Sequence, residues 1–491
     1  MTRMNTMTSP PETESNTNQK VAVFMAGFTL AQVPRLAVSA GKFSAVRFRI
    51  SSSYIPLFLN QMIISYRIAA LLGTMVMNGL ILGCPNFKQH LGIVSSICTS
   101  SMSLCYALTL VTFYTGGDQG YITAYYWGIV LTSFMYGCSV VSVTTLASSE
   151  IAGYLAAIPA ASIVSSSYHL SFVKFGNKFR LQNINYWVVV WQIITAICLA
   201  VIAAGIWIVA YGDGKAVSSG TTAEEDDFWT GLSLSGSPLF LAAFGYGLQY
   251  AFYPAIAPYK LAGIQKGFYI SLALLYTGAI PPAILLYLKE AKKGPDKNWT
   301  EYYGWHYAWF LFALEVTCAY IFTIILHYPD GFIARTLRHS TILLTLVIVL
   351  YDMCVHTTRG IGSNGASRQT KEGNSKKNSK MATLNTLLYS ITQLIFAFMG
   401  NGYLKTYSKY EKDPDNWPTK HFTTRKAFWY WCGCSTKCAC KNLVTAFTTD
   451  VRGSIVEKRE FLYVVYADEV DNSRKPPNAK DPTVMKIVHD I

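Results

Sequence analysis

Four charged residues, Arg35, Arg67, Glu315 and Asp352, sit inside long apolar runs of this 491-residue chain. A charge at membrane depth costs about 2.5–3.5 kcal/mol on insertion scales, so such a residue normally faces a cavity or a partner. Arg67 falls in the middle of YIPLFLNQMIISYRIAALLGTMVMN, and Glu315 in the middle of WHYAWFLFALEVTCAYIFTIIL. Both are too deep to reach water easily by stretching the side chain. A pair between them would neutralise both, and either could contact a polar solute. An ion pair that only holds helices together explains them equally well. Arg35 and Asp352 lie nearer the ends of their runs, where interfacial placement is expected.

Uncharged polar groups within the runs are Asn60, Gln61, Gln192, Gln249, Gln393 and Asn401. Each could bond a solute in a central cavity or bond a neighbouring helix, at around 1 kcal/mol. Taken singly, each reads as a helix-to-helix bond. Backbone breakers are more telling. GYGLQYAFYPAIAPYKL places Pro254 and Pro258 one turn apart after Gly245 and Gly247, and Gly278, Pro281, Pro282 and Pro159 interrupt other runs. Proline removes a donor and clashes with the carbonyl four residues earlier. Freed carbonyls in a membrane must face protein or a water-filled cavity, and broken helices point to solute sites and gates. A static kink is the competing explanation.

Beyond the apolar runs, WCGCSTKCACKN carries Cys432, Cys434, Cys438 and Cys440. The C-x-C-x3-C-x-C spacing departs from zinc patterns, which favour two-residue gaps within each pair. Beside aromatics and lysines the four are acylation candidates if the tail is cytoplasmic. An indifferent tail fits as well. No metal site and no cofactor is expected. Asn298-Trp299-Thr300 has the form of a glycosylation sequon. His306, His327 and His356 fall near run ends, as interfacial residues do. Phosphate-binding loops, HExxH and GxSxG are absent from the sequence, so no catalytic residue is assigned and the chain is not read as an enzyme.

The elements that must position these groups are helices across a bilayer. The chain is 51% apolar and only 14% charged, against about a quarter charged in soluble domains. Its apolar runs repeat at about 20 residues or more, the length that crosses a hydrocarbon core as helix. They predict spans at 21–40, 55–80, 91–115, 121–147, 151–173, 186–212, 237–259, 266–288, 305–328, 340–356 and 383–405. The fold class is therefore an all-α polytopic membrane protein with about eleven transmembrane helices in a major-facilitator-like bundle, in the plasma membrane or an organelle membrane. Residues 1–20 form a polar tail without the apolar core of a cleavable signal. Residues 21–212 form a six-span bundle and 237–407 a five-span bundle, joined by 213–236, an acidic Gly/Ser/Thr-rich flexible loop. A basic Gly/Ser-rich loop is predicted over 357–381, and a basic tail over 408–491 in which 427–432 could lie at an interface.

Net charge of +14 sits mostly in loops and the tail, where it faces anionic lipid, and gives no sign of a nucleic-acid partner. Basic loops favour the cytoplasm. With a cytoplasmic N-terminus, 289–297 and 357–381 agree with that rule, while 41–54, 174–185 and the tail disagree. An even span count would return the tail to the cytoplasm. The eleven cysteines are scattered as small hydrophobes, without a disulfide framework.

Six spans, an acidic loop and five spans is an organisation that resembles the equilibrative nucleoside transporter family. LTSFMYGCSVVSVTTLASSEIAGYLAAIPAASIVSSSY at 131–168 is similar to that family's fourth and fifth spans. GYGLQYAFYPAIAP is similar to its seventh, and FAFMGNGYLKTY at 396–407 to the Asn-Gly-Tyr segment of a late span. Ser139 stands where the family commonly has glutamine, and LYTGAIPPAILLYL lacks the family's Asp and Arg pair. The pattern also resembles the Tpr-related membrane proteins of piroplasms, which look like diverged relatives. The resemblance implies facilitative, alternating-access transport of a nucleoside or nucleobase, without an ATP site. The path would be lined by Arg67, Ser139, Gln249, Tyr253, Pro254, Glu315 and Asn401, with Tyr253 stacking on a planar base. A carrier of sugars, amino acids or folates, and a non-transporting scaffold, stay open. The partners are a small-molecule solute and membrane lipid.

Overall fold

The computed structural model describes residues 17–48, 50, 55–116, 121–147, 150–212, 228–371, 378–411 and 416–446. Nearly all of them are helical, and eleven helices are long and apolar enough to cross a membrane. The protein is an integral, multi-pass membrane protein. Spans one to six are Thr17–Ser39, Met62–Gly83, Leu91–Tyr114, Ile122–Leu146, Ile151–Lys178 and Ile184–Tyr211. Spans seven to eleven are Phe228–Lys260, Lys266–Glu290, Tyr303–His327, Thr341–Ala366 and Lys380–Tyr410.

Within the first six, span one packs on five and six, two on four, and three on four and six. Within the last five, seven packs on ten and eleven, and ten on eight and nine. The two groups meet through span two on span eleven and span five on span eight. Lipid tails give no hydrophobic drive between helices, so close approach depends on small residues. Gly73 and Gly137 provide it between spans two and four: a Cβ on Gly137 would collide with the Ala70 carbonyl, and one on Gly73 with the Phe134 carbonyl.

Most of the breakers act where expected, but Pro159 does not: span five is helical straight through it from Ile151 to Lys178. Span one changes from α to π winding over Arg35–Ser39, directly after Pro34. Span seven is α-helical to Phe252, then continues as a π turn over Ala255–Lys260, in which Ala257 is non-helical at φ −108°, ψ 118°. Span eight breaks between Thr277 and Ile280, just before Pro281 and Pro282.

Four expectations need correction. The polar tail ends earlier than 1–20, because helix begins at Thr17. The acidic loop is shorter, because Phe228–Gly236 already belongs to span seven; its acidic run, Glu224 to Asp227, lies outside the described residues. The loop assigned to 357–381 is helix at both ends, since span ten runs on to Ala366 and span eleven starts by Lys380; residues 372–377 lie outside the described residues. The tail contains a further helix, Thr424–Ala446. It runs antiparallel to span eleven: Trp431 meets Tyr403 edge-on and Tyr407 at a tilt, Ser435 abuts Gly402, and Ala439 packs with Phe398 and Ile64.

Candidate functional site

Alternate crossing puts the ends at Ser39, Tyr114, Lys178, Lys260, His327 and Tyr410 on one face, and the opposite ends on the other. Between the six-span and five-span groups lies a cavity of about 90 Å³, lined from spans one, two, four, five, seven, eight and ten. Its wall includes Arg35, Arg67, Arg359, Asp352, His356 and Gln249, and six tyrosines.

Helix periodicity sets this lining. Tyr246, Tyr250 and Tyr253 recur at i, i+4 and i+7 on span seven, and Asp352, His356 and Arg359 do so on span ten. Residues at that spacing share one face. Gln249 Nε2 donates to Asp352 Oδ1 at 3.0 Å, and His356 Nε2 lies 3.7 Å from Asp352 Oδ2. The Arg359 guanidinium sits 3.9 Å above the Tyr246 ring and 5.9 Å from Tyr389. Arg67 sits 4.0 Å from the Tyr250 ring centre and 4.7 Å from that of Tyr66. Desolvated cation–π contacts of this kind are worth about 2 kcal/mol.

Arg67 also ties the groups together. Its Nη1 donates to Gln393 Oε1 of span eleven and its Nη2 to the Tyr250 hydroxyl of span seven. A second, water-sized space of about 10 Å³ lies beside it, lined by Arg67, Thr74, Tyr136, Tyr389 and Gln393. Arg67 therefore stands between two cavities. Further contacts join the groups at the face that holds the turn between spans four and five. Lys289 Nζ meets Glu150 Oε2 at 3.1 Å with both side chains largely buried, and the Thr145 and Thr383 hydroxyls are 3.0 Å apart.

Of the residues singled out in the sequence, Arg67, Gln249, Tyr253 and Pro254 line the main cavity. Ser139, Glu315 and Asn401 do not. Ser139 is buried in span four, and Asn401 is buried in span eleven near the tail helix. Glu315 is fully buried between spans seven, nine and ten, beside Gly245 and Thr358. The expected Arg67–Glu315 pair is not formed. Thr358 gives its hydroxyl proton to Val355, and neither Glu315 oxygen finds a donor. Arg35 and Asp352 are not interfacial, since both reach the cavity and Asp352 is 4% exposed. His356 is likewise inside, because span ten continues past it.

Sequence reasoning missed Arg359 and most of the tyrosines. The seven-residue step from Asp352 to Arg359 was the available signal for the first, and the Tyr246-Tyr250-Tyr253 spacing for the second. Gln192 does act as a helix-to-helix group, 2.7 Å from the His169 ring nitrogen. Asn298, within the sequon, is buried: it donates to the Thr370 carbonyl and accepts from the Thr300 amide and hydroxyl. In the tail, Cys440 is exposed and Cys432, Cys434 and Cys438 are half-buried; burial pushes the Cys432 thiol up. Among the described residues no His, Cys, Asp and Glu group could hold a metal ion.

No protein-family model and no curated protein sequence matches the chain. Several solved transporters are similar in outline. A major-facilitator proton:xylose symporter, XylE, overlaps at a TM-score of 0.49 with 9% identity, over 86% of this chain and 94% of that one. A bacterial homologue of the iron transporter ferroportin gives 0.46 with 14% identity, over 87% and 98%. The nucleoside transporter NupG gives 0.42 with 12% identity, over 91% and 100%. These likenesses bring no solute and no site residue to this chain.

Proposed function

We propose that the protein carries a small polar solute across its membrane by alternating access, with the cavity between the two helix groups as the solute's seat. The observation that carries this reading is the cavity itself: three arginines, a carboxylate and six tyrosines around open space at the seam between two groups. A bundle that served only as a scaffold would gain nothing from charges held there, each of which is costly to bury. The groups would rock about that seam, with the six-span body starting near span one and the five-span body at Phe228. The broken segments of spans one, seven and eight would give way during rocking. The tyrosines suit a solute with a planar ring, so nucleosides and nucleobases are the first candidates, on the resemblance noted above. No step requires the chain to act as an enzyme.

Uptake of labelled nucleosides, nucleobases, sugars and amino acids, measured in a transport-deficient host, tests the reading. Expected is saturable uptake of one class, lost in Gln249→Ala protein that still reaches the membrane. No uptake of any class by membrane-inserted protein would remove it.

A further inference from the structure

The charges around the cavity do not balance. Arg35, Arg67 and Arg359 line it, and among the described residues Asp352 is the one carboxylate in its wall. Arg67 is held by Gln393 and Tyr250, which are neutral groups. Asp352 is engaged by Gln249, lies near His356 and interacts electrostatically with Arg35, which leaves Arg67 and Arg359 without a carboxylate. Among the described residues no acceptor bonds Arg35 or Arg359, and the Nε of all three arginines is buried without a partner. Arg359 is only 7% exposed and has tyrosine faces for company. Cation–π contact lowers the cost of burying a guanidinium but leaves its charge and its N–H groups unmatched. Glu315, behind Gly245 and Thr358, does not reach the cavity. Counting it as ionised still leaves three cations against two carboxylates.

We infer that the solute is an anion: a planar ring carrying a carboxylate or phosphate, with its oxygens met by the free N–H groups of Arg359 and Arg35 and its ring against the tyrosines. Guanidinium presents a planar fork of donors that matches both kinds of oxyanion. The Tyr253 ring on span seven offers stacking area on the same wall. The inference rests on the cavity being the solute's seat; it narrows the solute from polar to negatively charged and so puts nucleotides and ring carboxylates ahead of the neutral nucleosides and nucleobases.

The test uses the purified full-length protein in nanodiscs and in proteoliposomes. Its probes are two matched pairs, nicotinate with nicotinamide and uridine monophosphate with uridine, which differ in charge. Equilibrium binding is expected to favour one anion over its neutral partner by at least about tenfold, and the pair that does so identifies carboxylate or phosphate. Arg359→Gln and Arg35→Gln are each expected to weaken that anion by about tenfold or more, with the neutral partner little changed. Arg359→Lys keeps the charge and should retain part of the binding, which guards against a folding artefact. Equal binding within both pairs, preference for the neutral members, or no binding by any probe overturns the inference. Anion binding without uptake in proteoliposomes leaves the anion site standing and removes the transport reading. Uptake of the neutral members alone does the reverse.

Discussion

Arg67 of span two donates through one guanidinium nitrogen to Gln393 of span eleven and through the other to Tyr250 of span seven. One side chain thus bridges the six-span and five-span groups at mid-depth, between the larger cavity and the smaller one. A rocking motion that separates spans two and eleven has to break it. Removing the charge should therefore change the motion as well as binding. Arg67→Gln is expected to raise the maximal uptake rate by about tenfold or more, since hydrogen bonds to charged groups are worth roughly 1.5–3 kcal/mol and the bridge no longer has to break. Arg67→Lys keeps the charge but cannot fork to two partners, so an intermediate rate is expected. Uptake kinetics at equal surface expression decide this, and wild-type rates in Arg67→Gln would contradict it.

A second bridge lies at the face holding the turn between spans four and five, where Thr145 and Thr383 approach to 3.0 Å beside the Glu150–Lys289 pair. Alternating access requires these groups to part. A Thr145→Cys/Thr383→Cys protein is expected to cross-link under mild oxidation, to stop transporting, and to recover with dithiothreitol. Transport that continued in fully cross-linked protein would mean that this face does not open. Glu150→Gln should open it more readily, seen as faster labelling of a cysteine placed at Ser162 on the cavity wall.

The tail helix separates its cysteines by environment. Cys440 is exposed, whereas Cys432 is half-buried and its thiol is pushed up by that burial. Acyl transfer needs the thiolate, so raising the thiol's ordinary value disfavours Cys432 at neutral pH. If the tail is acylated, Cys440→Ser should remove most of the label in an acyl-exchange assay and Cys432→Ser little of it. Equal loss from both would show that packing does not select the site.

Helix spacing carried much of this architecture in the sequence, because a 20-residue apolar run has few alternatives in a bilayer. The places that were illegible share one cause. TTRGIGSNGA has the composition of a linker in water, yet it forms the end of span ten. There Gly360 abuts Leu285, Gly362 abuts Ala242 and Gly365 abuts Trp299. Small residues that signal flexibility in a soluble protein signal close packing in a membrane one. Assigning that stretch to a loop hid Arg359 and made Asp352 look terminal. Helix rotation was equally invisible: nothing in the sequence says that Arg67 faces spans seven and eleven while Glu315 faces Thr358.

That reading of small residues gives a stability test. A Cβ on Gly137 would fall on the Ala70 carbonyl, and backbone cannot step aside as a flexible side chain can. Overpacking costs about 1–3 kcal/mol, and more where the obstacle is main chain. Gly137→Val is expected to lower the thermal midpoint in detergent clearly, whereas Gly79→Ala, which meets nothing within 4 Å, should be silent. Similar midpoints for the two would show that spans two and four are not held this closely.

The sequon at Asn298-Trp299-Thr300 is built into the fold. Asn298 Nδ2 donates to Thr370 at 2.8 Å, and its Oδ1 accepts from the Thr300 hydroxyl at 2.7 Å. Trp299 is 1% exposed, donating its amide to Gln369 and its indole N–H to Pro295. A glycan on Asn298 would remove the Thr370 bond and force the loop off span ten. Endoglycosidase treatment of protein made in a glycosylating host is therefore expected to leave its mobility unchanged, as is Asn298→Asp. Trp299→Ala should destabilise by about 3–5 kcal/mol, the usual loss for a large buried aromatic. A mobility shift that depends on Asn298, together with unchanged stability in Trp299→Ala, would place this loop in solvent instead.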